Sequence, residues 1–136
     1  MHTMKVMEYL GILARDVPKV GNARLAAALI LDNKIVSVGV NSRKSHPFQA
    51  KYGKNKDAIY LHAETAAIKN FLRMDEPDKL SRCTMFVCRV KQSNTIPRYT
   101  VWGLARPCIG CQRAIALFNI KKVVYSSDTD KHYQVL

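Results

Sequence analysis

The sequence predicts a layered sheet with helices packed on it, of the α/β or α+β class. Three observations carry this expectation. A length of 136 residues leaves no room for a second domain with its own full core, and an apolar share of 48% is enough to bury one, so residues 1–136 read as a single domain. Helical and strand-like periodicities follow one another in the order α-β-β-α-β-α-β. In the second half they alternate, as strands joined by helical crossovers do.

Lys5 to Val17 reads as the first helix: Val6, Met7, Leu10, Leu13, Ala14 and Val17 recur at helical spacing, and Pro18 helps to stop it. Leu25 to Leu31 is a continuous apolar run, Asp32-Asn33-Lys34 a turn and Ile35 to Val40 a second strand, so the two form a hairpin. Asn41 to Asp57 is a polar, basic loop with turn residues Asn41, Ser42, Pro47 and Gly53. From His62 the pattern is helical again, through Ala63, Ala66, Ala67, Phe71 and Leu72, until Asp75 to Asp78, with Pro77, ends it. Cys83 to Val90 is a strand, Lys91 to Arg98 a loop, and Tyr99 to Leu104 an extended segment that pairs back. Cys108 to Phe118 is a third helix, Lys122 to Ser126 an apolar strand, and Ser127 to Leu136 adds a short final strand. The hairpin strands are antiparallel, and the crossovers are expected to make the rest of the sheet largely parallel.

The composition sets limits on function. No long uncharged apolar run occurs, and residues 1–5 lack the order of a secretory signal, so the expectation is a soluble, cytoplasmic protein with no membrane partner. Net charge is +12, and two segments hold no acid at all: one between Asp32 and Asp57, one between Asp78 and Asp128. Such segments favour a polyanion or a phosphorylated small molecule, against a merely solubilising surface. Of the four cysteines, Cys83 and Cys88 read as ordinary apolar strand residues, while Cys108 and Cys111 form a C-x-x-C pair suited to metal or redox work.

That pair is the chemical centre of the chain. Three-residue spacing at a helix start puts both sulfurs on one side of the first turn. The positive end of a helix favours the thiolate that a metal requires, and Pro107 suits the position at or before that start. His62 opens the preceding helix, so two helix N-termini can point at one place. Three protein ligands leave a fourth tetrahedral position open, as in catalytic rather than structural zinc sites. Glu64, two residues beyond His62, does not share its face and can stand beside the metal as a proton shuttle. A redox C-x-x-C lacks a thioredoxin-like context here, and a structural zinc knuckle would need His46 or His132 as a fourth ligand.

In His62-Ala63-Glu64 and Pro107-Cys108-Ile109-Gly110-Cys111 the chain resembles the cytidine deaminase superfamily, over roughly Leu25 to Tyr125. The resemblance implies a three-layer α/β fold with a mixed sheet of about five strands, and a homo-oligomer. It implies Zn2+ held by His62, Cys108 and Cys111, with Glu64 as general acid and base. Asn41 is similar to the family's asparagine that contacts the substrate, and Ala63 would lend its backbone to the base. No subfamily pattern fits throughout. Free-nucleoside enzymes carry Cys where this chain has His62, the tRNA enzymes place Asp-Pro-Thr-Ala before His-Ala-Glu, and the APOBEC-like enzymes have Ser-Trp-Ser before Pro-Cys. The span from Lys91 to Trp102 also interrupts what is usually one strand running straight into Pro-Cys.

The leading expectation is hydrolytic deamination of a cytosine-type nucleotide close to dCMP, with Arg43, Lys44 and His46 holding the phosphate. A second is deamination of a base in single-stranded DNA or RNA, with Tyr52, Tyr60, Tyr99 and Trp102 as stacking candidates. A third, a non-catalytic nucleic-acid-binding protein on the same fold, is disfavoured by Glu64, because binding alone needs no proton shuttle.

Overall fold

A computed structural model of the chain describes residues 2–18, 24–42, 51 and 62–136. The first helix, α1, spans Thr3–Arg15 and buries Val6, Met7, Leu10 and Ala14, the residues at helical spacing. Strands β1 (Arg24–Leu31) and β2 (Lys34–Val40) form the expected hairpin. Asp32 and Asn33 turn it with φ of 51° and 62°, the left-handed pair that matches strand twist. Helix α2 is Ala63–Leu72, followed by an unanticipated 3-10 helix, Pro77–Arg82. Strand β3 (Thr84–Gln92) outruns its expected end at Val90 by two residues. Strand β4 (Thr100–Gly103), helix α3 (Ile109–Leu117), β5 (Lys122–Ser126) and β6 (Tyr133–Val135) complete the order.

The six strands form one sheet in the order β2-β1-β3-β5-β6, with β4 also paired to β3. Among neighbours only β3 and β5 run parallel, so the expectation of a largely parallel sheet needs correction. The reason lies in strand placement. β2, β3 and β5 do point the same way, as helical crossovers require, but β1 lies between β2 and β3 and reverses both pairings.

Helices cover both faces, giving three layers. Ala26, Ala28, Ile30, Phe86, Cys88, Val90 and Trp102 face α1, while Ala27, Leu29, Leu31, Met85 and Val87 face the α2 and α3 side. Burial on both faces explains why Leu25 to Leu31 of β1 is an uninterrupted apolar run. Cys83 and Cys88 are buried residues of these cores, as expected. No helix among the described residues is long and apolar enough to cross a membrane.

One close approach positions the site. A side chain at Gly39 on β2 would stand 2.3 Å from the Ala67 nitrogen and 2.6 Å from the Ala63 carbonyl oxygen. Only a glycine lets α2 lie this tightly on the sheet. Ser37 Oγ donates to the Ala67 carbonyl at 2.6 Å, and Asn70 Nδ2 donates to the Val38 carbonyl at 2.9 Å. Ser37 and Val38 bond Ala67 and Asn70, whereas Gly39 lies against the turn from Ala63 to Ala67. The end of β2 therefore lies towards the N-terminus of α2.

Candidate metal centre

His62 is the N-cap of α2, with an extended backbone (φ −85°, ψ 159°). Its carbonyl accepts the Ala66 N–H at 2.9 Å and the Thr65 hydroxyl at 3.1 Å, so its backbone is held by the first helical turn. Cys108 is the corresponding N-cap of α3, and its Sγ accepts the Cys111 N–H at 3.5 Å. Its carbonyl accepts the Gln112 N–H at 2.9 Å, while Gln112 Nε2 donates to the Pro107 carbonyl at 2.8 Å. The turn before α3 is thus closed from both sides.

These two helix starts meet. His62 Nδ1 lies 3.5 Å from Cys108 Sγ and 3.3 Å from Cys111 Sγ, and the three donor atoms all fall within 4.8 Å of one another. Tetrahedral zinc with Zn–S near 2.3 Å and Zn–N near 2.0 Å separates its ligand atoms by about 3.5–3.8 Å. The donor set and its spacing therefore fit zinc with a position left open. Glu64 is outside this triad but beside it, its carboxyl against the Cys111 thiol.

The electrostatics match a site that handles protons. Burial pushes the Glu64 carboxyl above the usual carboxylate range, against the lowering pull of its own backbone N–H and of His62. The Cys111 S–H, and then His62, hold the Cys108 thiol well below its ordinary value. Cys111 is pushed up, first by that same bond and then by burial. The ligand pair shares one negative charge most easily, and a cation between the sulfurs would draw out the second.

The other expected site residues divide. Ala63 is buried on the first turn of α2, beneath β2. Asn41 is buried just beyond β2, where its Oδ1 accepts the Leu25 N–H at 2.8 Å and its own N–H bonds the Leu25 carbonyl at 3.3 Å. It closes the hairpin at the end that lies towards His62. Arg43, Lys44 and His46, like Tyr52 and Tyr60, lie outside the described residues. Trp102 is 1% exposed beneath Lys131, whose Nζ sits 5.0 Å from its ring centroid, so it offers no face to a base; Tyr99 is 47% exposed. The sequence reading missed Ser37, Asn70, Gln112 and Ser126, whose hydrogen bonds fix the supporting elements. It also gave Gly39 no role, although an isolated glycine in a strand is a signal of close backbone approach.

Comparison with known proteins bears on the family and the fold. A family model, the cytidine and deoxycytidylate deaminase zinc-binding region, matches residues 2–127. The fold is similar to a cytidine deaminase from Burkholderia pseudomallei, with TM-score 0.63 and 18% identity over 100% of this chain and 92% of that one. It is also similar to the dCMP deaminase of cyanophage S-TIM5, with TM-score 0.56 and 21% identity over 95% and 82%. A diaminohydroxyphosphoribosylaminopyrimidine deaminase/reductase from Thermotoga maritima gives TM-score 0.57 and 19% identity over 93% of this chain but 30% of its own. No curated protein matches. With nearly its whole length matched, and His, Cys and Cys converging at two helix starts, the chain belongs to the cytidine and deoxycytidylate deaminase zinc-binding family.

Proposed function

We propose that the protein is a zinc-dependent hydrolase that deaminates a cytosine-type nucleotide close to dCMP, giving the uracil form and ammonia. The carrying observation is the convergence of His62, Cys108 and Cys111 with a buried Glu64 beside them. The solved structures it is similar to are named as deaminases of cytidine, dCMP and a phosphoribosylated pyrimidine, which supports a pyrimidine substrate.

His62, Cys108 and Cys111 would hold the ion, and Glu64 is the proton carrier. Zinc, when bound, lowers the pKa of a water molecule to near neutrality and so supplies the nucleophile. Glu64 accepts the proton that water loses and delivers it to the ring nitrogen next to the attacked carbon. The same carboxyl then carries the proton of the added hydroxyl to the amine, so that the C–N bond breaks, ammonia leaves and the carbonyl of the uracil form remains. Burial suits Glu64 to this, because a carboxyl raised towards neutrality both takes and returns a proton readily. Ala63, at the start of α2, would lend its backbone to the base, and Asn41, at the hairpin end, would contact the substrate.

The phosphate is assigned to Arg43, Lys44 and His46, on the charge argument that residues 33–56 contain no acid. Ammonia release from nucleosides, nucleotides and oligonucleotides of cytosine and adenine tests the whole reading. We expect dCMP to be turned over faster than deoxycytidine, and equal turnover would remove the phosphate assignment. The net charge of +12 keeps a second reading, a base within single-stranded nucleic acid. Activity on an oligonucleotide that falls steeply with added salt favours it, and activity on mononucleotides alone removes it.

A further inference from the structure

Along one edge, β3 changes partner. It pairs with β5 over Thr84–Val87 and with β4 over Arg89–Gln92. At such a changeover neither incoming strand can complete the ladder, and backbone groups risk burial without partners. Ser126, the last residue of β5, sits there with no exposed surface. Its hydroxyl accepts the Arg89 N–H at 3.0 Å and donates to the Gly103 carbonyl at 2.6 Å. Its own carbonyl accepts the Ala105 N–H at 2.9 Å. A hydroxyl, donor and acceptor in one, is suited to satisfy both strands at once.

The metal centre lies just beyond the changeover. Three residues after Ala105 comes Cys108, and Ala105 is itself packed in the same core as Ala63 and Ala114. The two halves of the site are carried by different elements. His62 rides on α2, which is fixed to β2 through Ser37, Gly39 and Asn70. Cys108 and Cys111 ride on α3, which is reached from β4 through residues 104–107 and touches α2.

We propose that Ser126 is a positioning residue for the metal centre. By tying Gly103 to Arg89 of β3 through its hydroxyl, and holding Ala105 on its own carbonyl at the end of β5, it sets where Cys108 and Cys111 stand relative to His62. Donor atoms 3.3–3.5 Å apart leave little slack, so a loosened approach would cost metal affinity before it cost the fold. The inference rests on His62, Cys108 and Cys111 being the ligands.

Zinc affinity, measured by chelator competition on folded, zinc-free protein, tests it. Ser126→Ala should bind zinc about 10–100-fold more weakly than the wild type, and Ser126→Thr, which keeps the hydroxyl, should stay within about threefold. Ser127→Ala is the control, because that hydroxyl bonds within its own turn, to Thr129; it should leave affinity unchanged even where it lowers Tm. Unchanged affinity in Ser126→Ala, or equal losses in the two alanine variants, would overturn the proposal. If Ser126→Ala fails to fold, amide exchange in the wild type decides. The Arg89 and Ala105 amides should stay protected after zinc is chelated, and exchange at loop rates would show that the metal holds the strands rather than the reverse. A wild type that takes up no zinc overturns the ligand assignment as well, whereas tight zinc binding indifferent to Ser126 overturns this proposal alone.

Discussion

Glu64 carries a carboxyl that burial keeps protonated more readily than an exposed one, next to a thiol rather than an arginine or lysine. Glu64→Gln keeps the shape and the zinc ligands but cannot shuttle protons. We expect zinc to remain at one per chain by metal analysis, while kcat falls about 10²–10⁴-fold, the usual reach of general acid–base catalysis. Loss of zinc together with turnover would instead make Glu64 a ligand. The cysteines separate in the same way. Burial pushes the Cys88 thiol up to about 12 and raises Cys83 as well, whereas Cys108 is lowered by its bonds to Cys111 and His62. Because thiolate is the nucleophile, iodoacetamide at pH 6 should label zinc-free protein at Cys108 and leave Cys83 and Cys88 untouched until unfolding, as peptide mapping would show. Residues of this kind were legible because their chemistry is written in short spacings, His62 to Glu64 and Cys108 to Cys111. Ser126 was not, because its hydroxyl partners lie 23 and 37 residues away.

At the scale of elements, β2 and α2 form the firmest joint in the site. Gly39→Ala would drive a methyl group into the backbone of Ala63, Ala66 and Ala67, which cannot yield as a side-chain tip can. The expected cost is at least about 2 kcal/mol in urea unfolding, with zinc affinity falling too because His62 moves with α2. An unchanged Cm would mean that α2 can slide without strain. Most elements were readable from periodicity, since apolar spacing differs between helix and strand. The pairing of strands was not, because a chain shows which way a strand runs but not what lies beside it. Here β1 entered between β2 and β3, a long-range choice set by how the Ala26–Leu31 face packs rather than by any local pattern.

Across the whole molecule, one sheet serves two cores, and β1, β3 and β5 contribute to both. Damage on the α1 side should therefore be felt at the metal side. Leu10→Ala, at a site with no exposed surface, is expected to cost about 2–5 kcal/mol. The loss should appear in a single transition, with the fluorescence of Trp102 and far-UV circular dichroism changing together. Two separated transitions would mean that the α1 layer unfolds by itself. The same continuity explains how the chain tolerates the stretch between β3 and the cysteines. The strand leaves at Arg89 and returns beside it at Gly103, so the excursion from Val90 to Trp102 begins and ends at nearly one point of the sheet. Its outer end, Ser93–Tyr99, holds its own shape through the Ser93 hydroxyl and the Gln92 amide. Geometrically that tip is a splice point: length and sequence can be exchanged there, by evolution or by grafting, while the distance from sheet to Cys108 stays the same.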